Sequence, residues 1–194
     1  MRQITKTLAA TGLALFLAAS PAASEPYILD KSHAHVTFSV DHLGFSTVQG
    51  SFREFDAEIA FSPEKVEETQ VRFVIQAASV DTQWPARDEH LRSKDFFNAK
   101  KYPEIIFQSK TVTPNGTDTA VIIGDLTMVG ETREVSLEAR LNKMGPSPFN
   151  PDVKIAGFTV TGEIDRSQFG INFAAPAIGV QIPIRIDLEI SPAG

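Results

Sequence analysis

Apolar side chains recur at every second position along most of this chain. The plainest run is Val180, Ile182, Ile184, Ile186, Leu188 and Ile190, with Gln181, Arg185, Asp187 and Glu189 between them. Successive side chains of a strand point to opposite faces, so this spacing predicts a half-buried β-strand. The same alternation predicts strands at Val36, Phe38, Val40, at Val71, Phe73, Ile75, Ala77, and at Val135, Leu137, Ala139, Leu141. Shorter runs at Ile105 to Phe107, Ala120 to Met128 and Ile155 to Val160 predict more. The parity slips between Phe52 and Phe55 before resuming at Ala57, Ile59 and Phe61, which predicts a bulge or sharp bend.

Turn signals at Ser62-Pro63, Pro114-Asn115-Gly116 and Met144-Gly145-Pro146 separate these runs. The expected fold is all-β, an antiparallel barrel of about eight strands, a number at which a sheet can close on itself. Pro183 has no N–H for a ladder and is expected at a seam where pairing is incomplete. One segment breaks the rhythm. Trp84 to Phe97, reading WPARDEHLRSKDFF, opens on a proline with acids early and bases late, and predicts a short helix near residues 85–95. Asp88 and Arg92 are spaced to pair on its exposed face, with Leu91, Phe96 and Phe97 turned toward the barrel.

The first 24 residues differ from the rest. Arg2 and Lys6 precede an uncharged apolar run, Thr7 to Ala19, and then the small residues Ala22, Ala23 and Ser24, the three-part layout of a secretory signal peptide cut after Ser24. The run is short for a bilayer span. With no cysteine anywhere, neither a lipid anchor on a new N-terminal thiol nor a disulfide is available. Residues 25–194 are then one exported, periplasm-type domain stabilised by packing alone. Losing two basic residues makes the formal charge of −6 more negative, which argues against nucleic acid and anionic membrane surfaces as partners.

No P-loop, dinucleotide fingerprint or serine-hydrolase elbow is present, and no cofactor is expected. Four histidines remain. His33 and His35 share a face on a strand, and His42 or His90 is the third imidazole that a metal-assisted enzyme would need, but His42 has the opposite parity and no neighbouring acid has a metal-fixing spacing. Asp88 and His90, two apart on a helix, diverge. The 14 phenylalanines, against one tryptophan and two tyrosines, supply large apolar area, either as a filled core or as the lining of a cavity.

Several segments together resemble the YceI-like family of lipid- or polyisoprenoid-binding proteins, lipocalin-like barrels commonly exported to the periplasm. The opening signature is Leu29 to Val40, LDKSHAHVTFSV, continuing as DHLGFSTVQGSF to Phe52. Ser79-Val80-Asp81-Thr82, then Arg87 to Phe97, then Lys101-Tyr102-Pro103 follow the family's central pattern, and Gly124 to Gly130 and Ile164 to Ile171 its later ones. Glu131-Thr132-Arg133 departs from it within a predicted hairpin.

The resemblance implies an apolar interior holding an isoprenoid lipid or quinone. The residues expected around it are Phe38, Val40, His42, Phe45, Val48, Phe52, Phe73, Ile75, Leu91, Phe96, Phe97, Phe107, Arg166 and Phe169. His42, Arg166 and the helix bearing Arg87, Asp88 and His90 are expected as a polar collar for a head group. Two further readings stay open: the metal-assisted enzyme using His33, His35 and His42, and a stress-linked protein acting through its surface. Lipid carriers with wide mouths often pair to cover them, which adds a homodimer to the expectations of the lipid-binding reading.

Overall fold

A computed structural model describes residues 25–193. The signal peptide expected over residues 1–24 lies outside them. Ten strands follow in chain order: β1 (Glu25–His42), β2 (Ser46–Phe52), β3 (Phe55–Phe61), β4 (Gln70–Gln76), β5 (Val80–Asp81), β6 (Glu104–Pro114), β7 (Thr119–Met128), β8 (Glu131–Pro146), β9 (Lys154–Asp165) and β10 (Gln181–Pro192). They form one antiparallel sheet that closes where β10 meets β1.

β2 pairs with the C-terminal half of β1, whereas β3 pairs with its N-terminal residues and with β4. The two are therefore halves of one bent stave, broken at Arg53 and Glu54 where the parity slips. With β5 a two-residue extension on the edge of β2, the barrel has eight staves. Pro183 lies one residue beyond the last β1–β10 pair, Phe38 with Ile184, at the margin of the closing seam.

Two expectations about local structure are corrected. Met144-Gly145-Pro146 is not a turn but the end of β8, in register with Ala156, Ile155 and Lys154; the chain reverses over residues 147–153, where Ser147 N–H donates to the Val153 carbonyl. Asp88 and Arg92 do not pair on the face of α1 (Pro85–Arg92). Asp88 is buried and accepts from the Thr82 N–H at 2.8 Å and its hydroxyl at 2.5 Å, while Arg92 donates to the carbonyls of Ala78 and Val80. An i,i+4 ion pair in water is a weak contact. A carboxylate that satisfies the buried turn before its own helix is a stronger one.

Candidate functional site

Inward-facing residues coat the barrel without filling it. Among the described residues lie two cavities of about 300 and 280 Å³. Ile75 on β4, Ile105 on β6, Leu126 on β7, Ile164 on β9, and Ile184 and Ile186 on β10 line both. These six side chains form a waist at which the two cavities, or chambers, adjoin. Either volume alone is at the lower end of what a small-molecule site encloses, and joined they fall well inside that range.

The first chamber lies at the end of the barrel that carries the β1–β2 turn. Strict alternation on β1 aims Val36, Phe38, Val40 and His42 into it, and Val48 and Phe52 answer from β2. Phe38 packs at 5.6 Å from Phe52, which packs at 5.5 Å from Phe97. No side chain stands at Gly50 beneath the Phe38 ring, and a Cβ there would collide with it. α1 and the segment after it close the chamber with Leu91, Phe96 and Phe97. At the rim, His90, Phe96 and Phe173 form a three-ring cluster with centroids 4.8–5.3 Å apart.

The second chamber runs to the opposite end, among the β3–β4 connection, the β6–β7 turn and the end of β8. Phe73 and Phe107 stand in its wall together with Ile122, Leu137, Phe158 and Val160.

The 14 residues expected around a ligand thus fall into four groups. Phe38, Val40, His42, Val48, Phe52, Leu91, Phe96, Phe97 and Arg166 line the first chamber; Phe73 and Phe107 line the second; Ile75 belongs to both. Phe45 and Phe169 line neither. Phe45 is 89% exposed beyond the β1–β2 turn, where strand parity no longer applies, and Phe169 is 2% exposed in a 3-10 turn, Arg166–Phe169, sealed in the core. The residues missed include Ile105, Leu126 and Ile164 at the waist and, above all, those of β10: Ile182, Ile184 and Ile186 form a large part of the first wall. Their alternation was the clearest in the chain.

The collar residues are placed as follows. His42, Arg87, His90 and Arg166 line the first chamber, and Asp88 turns away to Thr82. Arg87 donates to the Thr82 hydroxyl at 2.7 Å and carbonyl at 2.8 Å. Arg166 is 5% exposed and donates to four carbonyls, those of Ile171, Phe173, Ile178 and Gly179, at 2.8–3.1 Å. Burial pushes its guanidinium below the usual arginine value, against the pull of neighbouring Asp165.

The three histidines of a metal-assisted enzyme are not brought together. His42 faces the first chamber, whereas His33 and His35 are exposed on the outer surface. Between Asp30 and His35 the β1–β10 register shifts, and β1 makes a local excursion. Asp30 ties it down, accepting from the Ser32 N–H at 2.9 Å and from His33 Nδ1 at 2.8 Å. Asp30, His33 and Glu189 hold ligand-type atoms within 4.8 Å of one another on this exposed surface.

Comparison with known proteins supplies the relatives. The YceI-like domain model matches residues 27–190. Protein YceI of Escherichia coli O17:K52:H18 is 37% identical over 184 residues, covering 94% of this chain and 95% of its own. A UPF0312 protein of Pseudomonas savastanoi pv. phaseolicola is 35% identical over 194 residues, covering 98% and 97%. Among solved structures, Burkholderia cenocepacia BcnA superposes with a TM-score of 0.75 at 22% identity, covering 83% of this chain and 98% of its own. The Campylobacter jejuni YCEI protein gives 0.70 at 29% identity, covering 79% and 90%. A polyisoprenoid binding domain from Saccharophagus degradans gives 0.59 at 15% identity, covering 87% and 99%.

Proposed function

The chain belongs to the YceI-like family, and from that premise we propose that it is a binding protein, not an enzyme, whose barrel encloses one long apolar molecule. The cargo is a polyisoprenoid, an isoprenoid quinone or a related lipid, and the protein carries or stores it in the aqueous periplasm. One observation carries the reading: two largely apolar chambers adjoin along the barrel and share six aliphatic lining residues. The binding assigned by name to the Saccharophagus degradans neighbour supports the class of cargo.

Affinity needs no reactive group. Each buried methylene contributes about 0.8 kcal/mol, so roughly a dozen tail carbons offset the cost of immobilising the molecule. The role requires no cofactor. Export through the segment ending at Ser24 would put the barrel where insoluble chains must cross water between membranes.

Native mass spectrometry of protein purified from the periplasm without detergent tests the reading. The expected result is a bound species that, after denaturation, yields repeating isoprene fragments. A spectrum that stays empty after incubation with quinones and polyprenols would overturn it.

A further inference from the structure

The end of the barrel that carries the first chamber is apolar on its outer side as well. Leu43 and Phe45 stand on the β1–β2 connection, Trp84 opens the helical connection before β6, and Phe173 lies on the connection from β9 to β10; all four are exposed. These connections are distant in sequence and meet at one end, since His42, His90 and Phe173 line the same chamber and His42 bridges to Ile178. Single exposed apolar residues are ordinary, whereas their gathering from three connections marks a surface that contacts something.

The same end carries cations without partners. Residues 84–102 hold five basic and three acidic residues in a chain whose acids outnumber its bases. The three carboxylates are engaged, Asp88 by Thr82, Glu89 by Arg92 at 3.6 Å and Asp95 by His90 at 3.1 Å. Lys94, Lys100 and Lys101 are exposed and in no ion pair among the described residues. Lys101 stands over the Tyr102 ring at 4.8 Å, and that ring abuts Gly130 in the β7–β8 turn, just beyond Met128 of the chamber wall. At the opposite end the balance reverses: the exposed carboxylates Glu64, Glu67, Asp118 and Asp152 outnumber the unpaired lysines, Lys143 and Lys154.

We propose that this end docks on the surface of an anionic phospholipid bilayer, with its apolar side chains in the interface and its three lysines over lipid phosphates. Charge complementarity selects that occupant. Each lysine close to an anionic surface strengthens binding about fivefold, and tryptophan favours the boundary between water and hydrocarbon. The chain's net charge of −6 opposes approach only as far as salt allows, about 8 Å at physiological ionic strength, so the docked face and not the whole molecule sets the sign. Docking goes beyond the cargo reading and holds with the barrel empty or full.

Trp84 is the chain's one tryptophan and is 63% exposed, so its emission reports docking directly. The protein purified from the periplasm is floated with vesicles of phosphatidylglycerol and phosphatidylcholine in equal parts, and separately with vesicles of phosphatidylcholine alone. The anionic vesicles are expected to bind it at least about tenfold tighter, to blue-shift Trp84 and to release it in high salt. Replacing the lysines together, Lys94→Gln, Lys100→Gln and Lys101→Gln, should weaken that binding about tenfold or more at an unchanged melting temperature, and Phe45→Ser should weaken it without removing its salt dependence. No flotation, equal flotation on both vesicles, or flotation unchanged in the lysine variant overturns the proposal. A blue shift that grows with protein concentration in the absence of vesicles also overturns it and gives the face to a second copy of the chain. Native mass spectrometry judges the cargo separately: a lipid-loaded protein that never floats leaves the lipid-binding reading standing without the docking, and an empty protein that floats leaves the docking standing without the cargo.

Discussion

Leu43 holds a φ of 60° beside Gly44 at 73°, the two central positions of a turn in the three-residue connection between β1 and β2, closed by the Phe45 N–H on the His42 carbonyl at 3.0 Å. That pair of left-handed residues suits asparagine followed by glycine far better than leucine followed by glycine. Leu43 is about half exposed and gives up little packing. Leu43→Asn is therefore expected to stabilise the protein by about 0.5–1 kcal/mol, seen as a melting temperature raised by a few degrees. A lower melting temperature would show that the leucine contributes a contact worth more than the strain. On the outer wall, hydrogen bonds from Ser32 and His33 hold the Asp30 carboxyl at about 2, and Asp30 in turn raises His33 above 6.5. The two act in opposite pH windows. The lowered Asp30 contributes stability above its ordinary value of 3.8, and this is lost as pH falls toward 2. The raised His33 contributes below 6.5, and its share is lost as pH climbs through its folded-state value. NMR titration of the His33 ring should show its midpoint fall in Asp30→Asn; an unmoved midpoint would remove Asp30 as the cause.

At the scale of elements, close approach and stapling matter more than propensity. β6 and β7 come together so tightly at Gly124 that a Cβ would press on the Gln108 carbonyl and the Phe107 ring. Because one obstacle is backbone, relaxation is costly, and Gly124→Ala is expected to lose about 1–3 kcal/mol, read from the urea midpoint at unchanged slope. The connection from β9 to β10 has a different fastening, the Arg166 fork on carbonyls between Ile171 and Gly179. Arg166→Met leaves those buried acceptors unanswered, with an expected loss of about 3 kcal/mol and faster amide exchange confined to residues 171–179. Arg166→Lys should rescue little, since an ammonium cannot reproduce the planar fork. Exchange that quickened uniformly over the barrel would instead mean that Arg166 supports the whole fold.

For the whole molecule, the proposed cargo of one long chain requires that it pass the waist between the two chambers. Ile184 lines both chambers from β10. Ile184→Trp narrows the passage between them. Binding of a twenty-carbon prenol should then fall about tenfold or more, because the part of its tail beyond the waist loses burial, while a ten-carbon prenol housed in one chamber keeps its affinity within about threefold. Equal losses for both would place the chain elsewhere than through the waist.

Much of this architecture was legible in the sequence because a strand writes its two faces into a period of two. The alternation of β1, β4, β8 and β10, the slip at Phe52 to Phe55 and the proline-led helix each depend on a few adjacent residues. The period fails where backbone geometry changes: in the excursion of β1 after Asp30, at Phe45 beyond a turn, and at Phe169 in a 3-10 turn. Asp88 escaped it too, because its partner Thr82 lies before the helix and not along it. The chain alone determined which side of each stave is apolar and, through its ordered motifs, the resemblance to a family. Only the tertiary structure decided that the interior is hollow and which side chains line each of its two chambers. Both properties are sums over side chains from staves far apart in sequence, and they exist only once closure sets those staves around a common axis.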